Sequence, residues 1–163
     1  MSTHHILQRR IDTPLGPLTA ARSATGLSGL WFDGQKHHPG ALDVPKDDGS
    51  DPVLSAAAAA LTAYFSGKHF ELPPLDPAGT AFQREVWQAL LEIAPGASDT
   101  YGHLAERLGR AQAARALGAA VGRNPISVLI PCHRVVGADG SLTGYAGGLD
   151  RKKALLSLEG ATA

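Results

Sequence analysis

A small α/β domain followed by a mostly α-helical domain with a helix-turn-helix is the fold class this sequence predicts, and three observations predict it. Short strand-like segments bounded by Gly and Pro fill the first quarter of the chain. An alanine-rich helical segment then runs into Leu72-Pro73-Pro74-Leu75-Asp76-Pro77-Ala78-Gly79, which reads as an extended tether. Beyond the tether, apolar residues recur at helical spacing behind recognisable cap residues. The tether sets the boundary, with residues 1–78 as the N-terminal domain and 79–163 as the C-terminal one. At 163 residues, 44% hydrophobic and 18% charged, the chain has ample material for packed cores.

Ile6 to Asp12 and Leu15 to Ala21 read as strands joined around Pro14-Leu15-Gly16-Pro17, and Leu27 to Phe32 as a third after the Thr25-Gly26 turn. Gly34 to Pro52, rich in Gly, Pro, His, Lys and Asp, is expected to be a mobile surface loop. Its His37 and His38 read as solvated side chains, not a metal pair. Val53 to Ser66 predicts a helix, with Asp51 or Ser50 near its start and Gly67 at its stop. The alanines from 56 to 60 are strong helix formers.

In the second domain, Thr80-Ala81-Phe82-Gln83 has capping-box spacing. Phe82, Val86, Ala89, Leu90 and Ile93 follow on one helical face, up to Pro95-Gly96. Thr100 caps a short helix through Leu108, ended by Gly109. Another helix spans about Ala111 to Gly122, and two short helices joined at a glycine make a helix-turn-helix candidate. Asn124-Pro125 closes that unit, a strand-like Ile126 to Ile130 follows, and a final helix covers roughly Asp150 to Glu159.

The one cysteine, Cys132, follows that apolar segment and Pro131, and precedes His133 and Arg134. Proline cannot donate a ladder hydrogen bond, so the strand should end there and leave the next side chains accessible. A thiol is a strong nucleophile only as thiolate, which needs nearby positive charge or donors; His133 and Arg134 are the local candidates. Neighbouring side chains in extended chain point apart, so a Cys132–His133 pair needs a bridging water or a tight turn after Pro131.

In the helix from 111 to 122, Ala113, Leu117, Ala120 and Val121 make an inward face. Ala111, Arg115, Gly118 and Gly122 fall on one outward stripe. A stripe this bare offers little to base edges in the major groove, but it lets the backbone approach the narrow minor groove. Arg115, its one long side chain, is placed to wedge into a base stack where a nucleotide is extruded.

Formal charge is zero, with residues 1–78 carrying six basic and eight acidic side chains and residues 79–163 nine and seven. Seven of the nine later cations are arginines, the better phosphate donor. That balance permits a nucleic-acid partner without demanding one. A lone cysteine excludes an internal disulfide and a cysteine-cluster zinc site. The chain's start lacks a signal-peptide pattern and no apolar run reaches roughly 20 residues. The expectation is a cytoplasmic protein with no membrane partner, no metal and no cofactor.

The runs Ile130-Pro131-Cys132-His133-Arg134-Val135, Arg123-Asn124-Pro125 and Gly144-Tyr145-Ala146-Gly147-Gly148 resemble the methylated-DNA–protein-cysteine methyltransferase family. The resemblance covers residues 80–163, and Thr13-Pro14-Leu15-Gly16-Pro17-Leu18 matches a common opening. It implies a ribonuclease-H-like N-terminal domain. It also implies single-turnover repair of O6-methylguanine, with O4-methylthymine as a further substrate, by a monomer on double-stranded DNA containing O6-alkylguanine. On that resemblance Cys132 accepts the alkyl group, His133 is the water-mediated base oriented by Glu159, and Asn124 holds the turn. Tyr101 contacts the flipped guanine, the Cys132 and Val135 carbonyls accept from its amine, and Tyr145 and Ala146 line its pocket. Arg115 is the intercalating finger; Gln83, Gly102 and Arg110 touch the DNA backbone, beside Gly118 and Gly122. Ala146 stands where some members carry a serine, leaving only its backbone N–H near O6.

Two other readings use the same residues. A cysteine hydrolase would recruit Cys132, His133 and Asn124 or Glu159, but has no need of a helix-turn-helix and would turn over repeatedly. A non-enzymatic alkyl-lesion binder would share the fold but lack the acceptor cysteine.

Overall fold

The computed structural model describes residues 4–160, and they divide into two compact units. The first holds the chain up to Ala78 together with Pro125–Leu129; the second holds Gly79–Asn124 and everything from Ile130. The short return, Pro125–Leu129, falls on the C-terminal side of the boundary read from sequence.

In the first unit, β1 (Leu7–Ile11), β2 (Leu18–Arg22) and β3 (Leu27–Phe32) form an antiparallel sheet in chain order. β3 is buried along its whole length, which an edge strand with one wet face is not. The cause is Pro125–Leu129, which lies along its free edge. Leu30 N–H donates to Pro125 C=O at 2.8 Å, Ser127 N–H donates to Leu30 C=O at 2.9 Å, and Ile126 bridges Leu30 in parallel. Gly29 is required here, since a Cβ would sit 1.9 Å from the Trp31 ring folded over it.

Helix α1 (Pro52–Phe65) starts as its sequence dictates. Asp51 caps it by accepting from Leu54 N–H, and Pro52 takes the first turn, where no N–H partner is needed. Leu54, Ala57, Ala60 and Leu61 go into the core with Leu18, Leu27, Leu30 and Phe32. The loop from 34 to 52 is not a free one: Gln8 Nε2 donates to the carbonyls of Leu42 and Val44, Asp47 N–H donates to Gln8 C=O, and Arg9 pairs with Asp47. Exposed backbone hydrogen-bonding groups along β1 attract this segment, so it runs beside the strand.

In the second unit, α2 (Ala81–Leu90) opens with a complete capping box between Thr80 and Gln83. It ends before Pro95-Gly96, with Leu91 as its cap. β4 (Asp99–Thr100) is followed at once by α3 (Tyr101–Arg107), capped by Thr100, which accepts from His103 N–H. A 3-10 turn (Ala111–Ala113) then precedes α4 (Ala114–Gly122), so the helix expected from 111 begins as a tighter turn. Trp87 Nε1 donates to Ala120 C=O at 2.8 Å and pins α2 to α4. A second 3-10 turn (Cys132–Arg134), β5 (Val135–Val136) and α5 (Leu149–Leu158) complete the unit.

Candidate functional site

The segment expected to be a strand before Cys132 is two tight turns in succession. Leu129 N–H donates to Ser127 C=O across Val128, whose φ is 69°. This is a γ-turn of the rarer, positive-φ hand, strained for a β-branched residue by an order of 1–3 kcal/mol. Cys132 N–H then donates to Ile130 C=O across Pro131 (φ −81°, ψ 63°), an inverse γ-turn that proline's fixed φ favours. Asn124 Nδ2 donates to the same Ile130 carbonyl at 2.9 Å and staples that turn. Cys132, His133 and Arg134 follow as one 3-10 turn, so their side chains leave in different directions.

Cys132 is buried, at 6% exposure, contrary to the accessibility expected after a terminating proline. Its neighbours also differ from those expected. His133 and Arg134 both turn to Glu159: His133 Nε2 lies 2.6 Å from Oε2, Arg134 Nε donates to Oε1 at 2.8 Å and Nη2 to Oε2 at 3.0 Å. The charge facing the thiol is that of Lys152, which the sequence reading missed. Burial pushes the thiol pKa up; a hydrogen bond from Asn124 and the Lys152 charge pull it back only in part.

Lys152 is fully buried on α5 and donates to Val135 C=O at 2.6 Å, Thr143 C=O at 3.0 Å and Gly144 C=O at 3.4 Å. Burial lowers its pKa, and the Cys132 charge opposes that. Its sequence signal was its register: Lys152, Leu155, Leu156 and Glu159 share one helical face, all but Glu159's cap position inside α5, and Leu155 and Leu156 are core. A lysine in a core stripe has a task.

Tyr101 reaches the same region because β4 pairs in parallel with β5, Asp99 opposite Val135 and Thr100 opposite Val136. That two-residue ladder ties the start of α3 to the strand leaving the Cys132 turn. The Tyr101 hydroxyl lies 3.4 Å from Thr143 Oγ1, and its ring lies beside Gly118, where an added Cβ would make ordinary contact. Tyr145 stands edge-on to the His133 ring, centroids 6.3 Å apart. Ala146 is half-buried in the same loop.

The helix stripe is as expected in part: Ala111 and Arg115 are exposed, Gly118 and Gly122 half-buried, and Leu117, Ala120 and Val121 buried. Gly102 is exposed at the start of α3. Arg110 stacks over Phe82 at 5.3 Å with Glu85 Oε2 3.6 Å from it, and the Gln83 side chain is spent on the α2 cap. The Val135 carbonyl already serves Lys152, and the Cys132 carbonyl accepts from Val135 N–H. Among the described residues no cluster of His, Cys, Asp and Glu is arranged to hold a metal ion, and no helix is long and apolar enough to cross a membrane.

His133 is buried as a neutral ring. Burial lowers its pKa, the Glu159 carboxylate opposes this, and Arg134 and Lys152 add to the lowering. The unfolded chain therefore takes up a proton near the ordinary value of 6.5 that the folded chain refuses until lower pH. Stability rises with pH across that window, is complete above it, and is lost on acidification. Urea unfolding between about pH 5 and 7 should show wild type losing more stability than His133→Gln, which lacks the group.

The Asn124 amide and the Lys152 ammonium both favour the thiolate of Cys132 over its thiol; the class is a thiol-dependent transfer protein. Two family models match the chain: the ribonuclease-like domain of 6-O-methylguanine DNA methyltransferase over residues 6–77, and its DNA binding domain over residues 81–161. The methylated-DNA–protein-cysteine methyltransferase of Mycobacterium tuberculosis is 47% identical over 152 residues, 93% of this chain and 90% of that one. That of Methanosarcina barkeri is 47% identical over 153 residues, 91% and 94% of the two chains. A crystal structure of Mycobacterium tuberculosis OGT in complex with DNA superposes with a TM-score of 0.85 at 45% identity, covering 94% of this chain and 92% of that one. The chain belongs to the 6-O-methylguanine DNA methyltransferase family.

Proposed function

We propose that this protein repairs O6-alkylguanine, and O4-methylthymine as a second substrate, in double-stranded DNA by moving the alkyl group irreversibly to Cys132. The observation that carries the reading is the buried thiol between Asn124 and Lys152, with the His133–Glu159 pair behind it. Residues 1–78, joined by Pro125–Leu129, serve as the ribonuclease-like domain, and the rest of 79–163 as the DNA-binding and acceptor domain. The protein acts as a monomer in the cytoplasm, where a lone thiol stays reduced.

The α3–α4 pair is the helix-turn-helix. Its bare stripe at Gly118 and Gly122 approaches the minor groove, and Arg115 fills the gap left by the extruded base. Unstacking is least costly for a damaged base, which favours lesions in any sequence context. Gly102, Arg110 and Gln83 lie at the phosphate backbone, Arg110 after leaving Phe82. Tyr101 and Tyr145 hold the guanine, Ala146 N–H faces its O6, and a second lone pair on the Val135 carbonyl accepts from its amine.

In the reaction the Cys132 proton passes through a water to His133 Nδ1, which has no hydrogen-bond partner among the described residues. Lys152 and Asn124 stabilise the thiolate. The sulfur attacks the alkyl carbon in line, the S–C bond forms and the C–O6 bond breaks. Its electron pair leaves with guanine, which takes a proton from the Tyr101 hydroxyl, later restored from solvent. The thioether has no exchange route of the disulfide kind, so each chain reacts once. Intact-mass measurement after incubation with O6-methylguanine duplex should show one added methylene per chain, confined to the Cys132 peptide and absent in Cys132→Ser. Tight binding with no mass gain overturns the reading in favour of a lesion binder, and repeated turnover in favour of a hydrolase.

A further inference from the structure

A carboxylate beside a histidine ordinarily favours imidazolium, which accepts no further proton. The reaction proposed above, on which this inference rests, needs the opposite: an uncharged ring with a lone pair on Nδ1. Burial of the ring holds its pKa down first of all, and the way Glu159 is shared decides how far the carboxylate can oppose that. The Glu159 side chain is 2% exposed, His133 is 0% and Arg134 is 8% exposed, so no solvent stands between them. The Arg134 guanidinium grips both carboxylate oxygens as a fork, and its Nη1 donates to Ile93 C=O beyond the end of α2. Among the described residues its side-chain hydrogen bonds go to Glu159 and Ile93, not to Cys132. The groups acting on His133 are therefore Glu159 and Lys152 from α5 and its cap, Arg134 from its own turn, and the Tyr145 ring. The one anion among them already has a bidentate cation, the strongest form of such pairing.

We propose that Arg134 is a positioning residue that neutralises Glu159 in advance, and so keeps His133 uncharged with its proton on Nε2 and its Nδ1 lone pair open to the thiol's proton. An ionised carboxylate only accepts, so the 2.6 Å contact fixes the Nε2–H tautomer. Without the guanidinium the buried carboxylate loses its bidentate cation, and its charge acts on the His133 ring without that counterweight. The ring then holds a proton at neutral pH and stops serving as the base.

Nitrogen NMR of labelled histidine in the full chain, run beside single-turnover methyl transfer, tests this on wild type and Arg134→Met. Wild type should show a neutral Nε2–H ring through neutral pH. In Arg134→Met the ring should titrate upward, with transfer about tenfold slower near pH 7 and recovering above the raised pKa. A rate lowered equally at every pH, with His133 titration unchanged, makes Arg134 merely structural and overturns the proposal. So does a wild-type ring that is protonated at neutral pH or carries its proton on Nδ1. Should Arg134→Met fail to fold, Arg134→Lys, with the charge but not the fork, should keep the ring neutral; a charged ring there overturns the proposal equally. Methyl gain on wild-type Cys132 in the same samples judges the repair reading separately.

Discussion

Glu159→Ala should destabilise the protein by about 3–5 kcal/mol, as removing one partner of a buried ion pair does when the other charge stays buried. Among the described residues the Arg134 side chain would lose both its carboxylate contacts and keep Ile93 C=O, and the His133 ring would lose its hydrogen-bond partner. Methyl transfer should fall further than stability explains, by about 10²-fold or more, because the imidazole loses its tautomer and orientation. Urea unfolding and single-turnover rates measured on the same preparation separate the two effects. Glu159→Gln should sit between: its carbonyl can still accept from His133 Nε2, but its amide presents a donor to the guanidinium. A loss below about 1 kcal/mol for Glu159→Ala would mean the cluster is not the buried pair its geometry describes.

Lys152→Met is the second large effect. The methionine fills the space but leaves the carbonyls of Val135, Thr143 and Gly144 without their ammonium donor. The buried Val135 carbonyl costs about 1–3 kcal/mol when orphaned, while those of Thr143 and Gly144, in an exposed stretch, can turn to water; with the charge no longer buried, a net loss of about 1–2 kcal/mol is expected. The loop from 137 to 148 should loosen first, since Lys152 links Thr143 and Gly144 to Val135; hydrogen exchange on Gly144 and Tyr145 reads this. Chemistry should change in a distinct way. With its cation gone, the thiol loses one of the three influences that oppose its burial and its pKa rises further. Transfer at neutral pH should fall about tenfold for each unit of that rise, with the rate profile displaced to higher pH. An unshifted profile would remove Lys152 from the chemistry and leave it a loop anchor.

Elements whose instructions lie within three or four residues were legible. Thr80 and Gln83 close the α2 box on each other, Thr100 caps α3 through His103 N–H, and Asp51 caps α1 through Leu54 N–H. The β3 bounds follow from its flanking turn and loop residues alone. The failures share a cause. Ile126 to Ile130 has strand composition, but only its docking beside β3 fixes the positive φ at Val128, which no propensity for a β-branched residue suggests. The 34–52 segment has loop composition, yet the unpaired edge of β1 gives it partners. His133 and Arg134 are adjacent to Cys132 in sequence and were natural candidates to activate it. A carboxylate 25 and more residues away claims both.

Residue order alone determined which atom reacts here, because one sulfur in a proline-stopped turn, an arginine on a bare helix stripe and the run through Tyr145 are local patterns. Tertiary structure decided which side chains meet that sulfur and in what state of charge. Protonation depends on burial and on charges brought in by packing, and both the buried cation at 152 and the carboxylate at 159 arrive on a helix that begins more than a dozen residues after Cys132.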